Sequence, residues 1–477
     1  MLARAGKYAG SMVSRQTRWA VGAAVVAGGA AVLASGVDQG SMLRTLVPLR
    51  RPRRGLEGYE GDLEFLRQAV RRHEFGITPD QLEGFNSVLE TRRANSLDEL
   101  VLTSMAALAV FDNAATTVLV TQAHRLPVRF GWMRDSLVVV KAAPEYAELA
   151  GQRVTLVGGA EPSVTWPLFA PFVGGGTPAW LRNRSAWFFS VPEALRQVGV
   201  GVHEGVVRLD LEAEDGTESV VSLRAEDQPM PGGPMADFRD RFPGDEGLGT
   251  RGWVTALRDP GESADSPDRE GPLYLQHWDR LLFTRDVDLP TGGQALYVRI
   301  LGTPDGADPS SEDIDDTIAR VETGDHGRFI VDMRYACGGD YRVTLPLVKT
   351  IARQARERHL PIRLLVGPNL LGGGLISASQ FLAHAPERTI VIGNDLGDRL
   401  RNRSQGRTVT LPHSGMLVQL CHDWHDVSTD AMPWSDVWAP DKFLLMGVGD
   451  FRPDKDVQNG WRDYLHGVDR LLEAALA

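Results

Sequence analysis

Between Asp62 and Val110 apolar residues return every three or four positions. Leu63, Phe65, Leu66 and Val70 share one helical face, and so do Leu97, Leu100, Leu102 and Met105, with Pro79 between the two sets. This predicts a small helical domain over 62–111. Past Thr116 the runs shorten and turn residues separate them. Thr117–Val120, Pro127–Phe130, Leu137–Val140, Val154–Val157, Gly205–Leu211 and Ser219–Leu223 read as strands, with a helix at Val191–Val198. The expected unit is a β-rich region over 112–225. Residues 226–272 are rich in Pro, Gly, Asp and Glu and show no period. They read as a loop, lid or linker.

From about residue 273 to the end, strands alternate with helices. Ala295–Ile300, Arg328–Met333, Arg363–Val366 and Thr389–Gly393 are expected strands. Glu312–Val321, Thr344–Arg358 and Ser377–His384 are expected helices. Such alternation implies an α/β core with a mostly parallel sheet covered on both faces. Arg407–Leu411 and Met416–Leu420, joined through Pro412–Gly415, predict a hairpin.

Composition narrows the function classes. The 477 residues are 43% hydrophobic and 24% charged, an ordinary globular balance, and the net charge of −11 argues against nucleic-acid binding. The first 36 residues carry only Arg4, Lys7, Arg15 and Arg18 as charges, followed by a small, apolar run from Ala20 to Ala34. That order reads as an export signal or an anchor, so an exported protein with N-terminal membrane association is one expectation. Residues 37–61 read as a basic linker. The two cysteines, Cys337 and Cys421, exclude a disulfide scaffold but leave one bridge open. No metal-ligand spacing, phosphate loop or other cofactor signature is present, so neither metal nor cofactor is expected.

Two junctions have chemical content. In Val331–Tyr341 a strand ends at Gly338–Gly339, just before a helix. Paired glycines bring bare N–H groups close to a ligand, where they stabilise an oxyanion, or else they serve a steric turn. In Leu364–Ala385 a strand runs into glycines and then Ser377. A serine that opens a helix is a cap or, with a base beside it, a nucleophile favoured by the helix dipole.

In this order the two junctions resemble the tail-specific (C-terminal-processing) serine peptidases. The first carries Asp332, Arg334, Gly338 and Gly339, the second Ser377 and Ala378, and Ile392, Gly393 and Gly397 follow. The runs Gly397–Leu400 (GDRL) and Leu411–Gly415 (LPHSG) are similar to a bacterial branch of that family. The segment from Asp135 to Gly159 resembles the start of a PDZ-like domain. The resemblance implies a ClpP/crotonase-like peptidase core over 273–477, preceded by a PDZ-like region and the helical domain. It implies Ser377 as nucleophile, with Gly338, Gly339 and Ala378 as oxyanion-hole positions.

The same resemblance exposes three departures. Ala115 stands where histidine variants carry the base, Asp398 where lysine variants carry it, and Ala336–Cys337 where the family has Asn-Gly before the glycine pair. His124, nine residues past Ala115, is the tentative replacement base. His413, His422 and His425 lie on or beside the hairpin. His422 and His425 are expected on opposite faces of an extended strand, so they share no ion. The expected function is an exported peptidase-like protein acting on polypeptide through a serine acyl-enzyme. The alternative is an impaired pseudo-peptidase that binds polypeptide segments or C-termini.

Overall fold

The computed structural model describes residues 57–230, 240–242, 249–257, 271–277, 280–302, 311–430 and 445–477. The export segment, most of the basic linker and much of the acidic loop lie outside the described residues. Among the described residues no helix is long and apolar enough to cross a membrane.

Helices α1 (Gly58–His73), α2 (Pro79–Thr91) and α3 (Leu97–Ala109) come first along the chain. Thr78 caps α2 through a reciprocal bond pair with Gln81, and Pro79 occupies its first turn. Strands β1 (Thr117–Leu119), β2 (Gln122–Arg125), β3 (Val128–Met133), β4 (Ser136–Ala142) and β5 (Arg153–Val157) follow. Then come α4 (Pro162–Thr165), α5 (Pro178–Phe188), α6 (Pro192–Gln197), β6 (Val206–Glu212), β7 (Glu218–Arg224), β8 (Glu226–Pro229) and β9 (Val254–Thr255). Strands β3 to β7 make an antiparallel sheet in sequential order, and β9 pairs with β4.

Within the span expected to be a loop, the described residues are well anchored. Strand β8 pairs with β2. Asp240 is fully buried between Arg125 and Arg129, at 2.6 and 2.5 Å.

The C-terminal part contains β10 (Leu282–Asp288), β11 (Gln294–Ile300), α7 (Ser311–Thr323), β12 (Arg328–Asp332), α8 (Tyr341–Glu357), β13 (Ile362–Val366), α9 (Gly372–His384) and β14 (Thr389–Gly393). It ends with β15 (Arg401–Thr410), β16 (Leu417–Asp426), β17 (Lys455–Asp456), α10 (Trp461–Leu465) and α11 (Arg470–Leu476). Its sheet has the order β10-β11-β12-β13-β14-β17, parallel except at β10. Side chains alternate across it. Leu296, Val298, Phe329, Val331 and Leu364 pack under α7, α8 and α9, while Tyr297, Ile330, Leu365 and Ile392 pack under α11.

The hairpin β15–β16 is longer than its apolar pattern, because buried polar contacts extend it. It joins β1 rather than the parallel sheet. The apolar residues of the hairpin and of α1 to α3 belong to one core.

Candidate active site

The end of β12 is fixed by ion pairs. Asp332 accepts from Tyr297 Oη at 2.7 Å and from Arg334 Nε at 3.0 Å. The Arg334 guanidinium forks onto Asp469 at 2.9 and 3.0 Å. All three charged groups are buried, so Asp332 and Arg334 act here as a brace between β12 and the base of α11.

The brace sets up a turn in which Gly338 and Gly339 have φ of +76° and +89°. That is the left-handed region other residues rarely adopt. The turn is laced to the segment before α9: Leu371 N–H donates to Ala336 O at 3.2 Å, and Gly338 N–H donates to Leu371 O at 3.0 Å. The Gly338 N–H is therefore already engaged. Gly339, on the exposed side of the turn, has its N–H outside this lacing.

Helix α9 starts at Gly372, five residues before the expected Ser377. The Gly372–Gly374 run, read as a loop, is the helix's first turn. A Cβ on Gly373 would sit 2.0 Å from Gly339 O, and one on Gly374 would sit 2.0 Å from Ala336 O. The helix is pressed onto the turn so closely that only glycine fits. Gly373→Ala is expected to destabilise the fold by about 1–3 kcal/mol or more, read as a lowered urea midpoint. A neutral substitution would show that the two backbones part easily. Gly372 differs, because its added Cβ would meet nothing nearer than Gly338 Cα and Ser404 Cβ, both at 3.7 Å.

Ser377 lies inside α9, 2% exposed. Its Oγ is 2.7 Å from Thr344 Oγ1, and Thr344 donates to Tyr341 O at 3.1 Å. Thr344 has one proton, so Ser377 is the donor to Thr344, a neutral hydroxyl rather than a base. Ala378 is also interior to the helix and fully buried, and α-helical geometry commits its N–H to the carbonyl four residues earlier. A small open cleft of about 10 Å³, room for about one water molecule, reaches this region, lined by Ile300, Met333, Gly338, Tyr341, Gly373 and Ser377 among others.

The other candidates divide between two places. His124 stands on β2, its Nε2 2.9 Å from Ala225 O and its backbone N–H on Asp98, and it shares no partner with Ser377. Ala115 is half-buried in the turn before β1. Its neighbours Asn113 and Thr116 belong to a network with Glu74 and Arg403 on β15. Burial pushes Glu74 up to about 7, against the pull of Arg403.

Asp398 is 4% exposed and lies at the start of α9. Its Oδ1 accepts from Arg399 N–H at 2.9 Å. Burial pushes its pKa up to about 6, although the N–H groups of Arg399 and Gly372 draw it down. Its Oδ2 is buried without a hydrogen bond of ordinary geometry.

Cys337 and Cys421 are both buried and are not joined in a disulfide, and burial pushes the Cys421 thiol up to about 12. His422 is exposed and His425 buried, on opposite faces of β16. No group of three metal-ligating side chains occurs among the described residues.

Two residues that local sequence did not single out lie beside the helix start. One is Gly372 itself. The other is Ser404, whose Oγ is 3.0 Å from His425 Nδ1. Nothing in the run around Ser404 marks it. Only strand register brings it to His425.

No family model matches the chain, and no curated protein does. Among solved structures, "mature CPAF" matches with 12% identity, covering 87% of this chain and 94% of that one, at a TM-score of 0.53. The chain is similar in fold to mature CPAF. CPAF complexed with lactacystin matches at 12% identity, covering 87% of this chain and 96% of that one, with a TM-score of 0.51. The photosystem II D1 C-terminal processing protease matches at 12% identity over 87% and 99% of the two chains, with a TM-score of 0.34. At this identity the likeness to CPAF fixes the fold and leaves the roles of individual residues to the geometry above.

Proposed function

We propose that this chain is a peptidase-fold protein that receives a polypeptide segment against the Gly338–Gly339 turn, and that Ser377 does not attack it. One observation carries this reading. The residue that opens α9, where the helix dipole and the glycine turn converge, is Gly372, while Ser377 is buried five residues further on. A nucleophile needs a base within hydrogen-bond reach, and the Ser377 hydroxyl faces Thr344 instead.

The order of the sequence motifs and the CPAF-like fold support polypeptide as the ligand class. Open space in front of Gly338, where a Cβ would meet nothing within 4 Å, gives an extended chain room to lie. An exported setting is part of the proposal and rests on the character of residues 1–36.

The test is fluorescence anisotropy with labelled peptides that have free C-termini. Ser377→Ala is expected to bind within about twofold of the wild type. Gly338→Asn, which tolerates a positive φ and places a side chain in the cleft, is expected to weaken binding by about tenfold or more. Peptidase activity abolished by Ser377→Ala would overturn the proposal, as would peptide affinity unaffected by Gly338→Asn.

A further inference from the structure

Only one buried hydroxyl–imidazole pair among the described hydrogen bonds lies beside the start of α9. Ser404 is 8% exposed and His425 2% exposed, and their Oγ and Nδ1 are 3.0 Å apart. They belong to adjacent antiparallel strands. Ser404 faces Asp423 and Asn402 faces His425 in the register, so Ser404 and His425 are a diagonal pair on one face of the hairpin.

Two contacts tie this pair to the cleft. An ideal Cβ on Gly372 would stand 3.7 Å from Ser404 Cβ and equally far from Gly338 Cα. The His425 ring packs edge-on against Tyr341, with centroids 5.7 Å apart, and Tyr341 lines the cleft with Gly338 and Gly373.

We infer that Ser404 is a nucleophile and His425 its general base, acting on a peptide carbonyl held at the Gly338 turn. This rests on the reading that Ser377 is not the nucleophile. Glycine at position 372 leaves the helix start without a side chain of its own, and Ser404 is the hydroxyl-bearing residue whose Cβ lies within ordinary contact distance of that position.

The chemistry balances as acyl transfer. Ser404 Oγ bonds to the carbonyl carbon as its proton passes to His425 Nδ1. The tetrahedral oxyanion faces the positive end of the α9 dipole beside Gly373, because the Gly374 and Leu375 N–H groups already bond Leu371 O and the Gly372 N–H meets Asp398. The carbon–nitrogen bond breaks, and the leaving amine takes the proton from His425. A water molecule then attacks the ester, gives its proton to His425, and releases the carboxylic acid while Ser404 recovers its hydrogen. One peptide bond and one water are consumed per turnover.

The experiment treats the full chain with a fluorophore-bearing fluorophosphonate and maps the adduct by mass spectrometry. The label is expected on the peptide that contains Ser404. Ser404→Ala is expected to abolish it, His425→Gln to slow it by about 10²–10⁴-fold, and Ser377→Ala to leave it unchanged. Circular dichroism confirms that each variant is folded, and the mapping on the wild type stands even if His425→Gln is not. A folded wild type that takes no label, or a label that survives Ser404→Ala, overturns the Ser404–His425 assignment while peptide binding stays intact. A label on Ser377 overturns this inference and the proposed function together.

Discussion

Asp240→Ala is expected to lower the unfolding free energy by about 3–5 kcal/mol, the usual cost of removing one partner from a buried ion pair. The carboxylate faces Arg125 at 2.6 Å and Arg129 at 2.5 Å, and all three side chains are at most 1% exposed. These arginines also meet neutral groups, among them Ser190 Oγ, Met230 Sδ, Gln228 Oε1, the Leu126 and Val128 carbonyls, and the Trp187 and Trp253 rings. Deleting Asp240 removes the carboxylate that both buried guanidinium groups share.

Acid should have a parallel effect. Burial alone would raise the Asp240 pKa, but Arg129 and Arg125 hold it down to about 2. A depressed carboxylate contributes stability that is complete above its unfolded value near 4 and is lost as pH falls through 2. Urea unfolding at pH 7 and at pH 2 measures both effects. A loss below 1 kcal/mol for the alanine variant at pH 7 would show that the arginines find other anions.

The second large effect has the opposite sign. Asp398→Asn is expected to stabilise the protein by about 3 kcal/mol at pH 8 and by almost nothing at pH 4. Burial pushes this carboxyl from 3.8 up to about 6. The folded state therefore holds the proton more tightly, and its penalty is absent below pH 3.8, grows as pH rises, and is complete above 6. The asparagine oxygen keeps the bond from Arg399 N–H and the buried charge is removed, while the attraction of the Gly372 N–H for the second oxygen is given up, so about 3 kcal/mol is the upper end of the gain. Denaturant unfolding of the wild type and the variant at pH 4, 6 and 8 supplies the comparison. A difference that does not change with pH would mean that Asp398 is ionised throughout at little cost.

The parallel core was legible because strands buried on both faces read as continuous apolar runs, as in β11, β12 and β13. The start of α9 was not. Three consecutive glycines oppose helix by about 1 kcal/mol each, and the compensation is a contact with residues 336–339 that no local window contains. Ser377 then looked like the helix-opening residue because it is the first polar side chain after the glycines.

The hairpin was legible only at its apolar end. Its polar start is buried because Arg403 bonds Glu74, Phe75 O and Phe111 O, partners more than 290 positions away. His425 was visible as a residue but not as a partner of Ser404, since pairing across strands depends on register. Asp398 was recognised as a departure from a family pattern. Its place at the helix start, and the burial that raises its pKa, required the structure.

The pairing of β1 with β16 also bears on how the chain is made. Leu119 waits for Leu417, and the apolar faces of the first three helices are completed by Val409, Leu411, Met416, Val418 and Leu420. Roughly 300 residues separate the two strands, which at about 5–20 residues per second is on the order of 15–60 s of synthesis. For that interval the emerging N-terminal half has an incomplete core and an unpaired strand. Until then those apolar faces lack their final cover, and a ribosome stalled before residue 417 would hold the chain in that state.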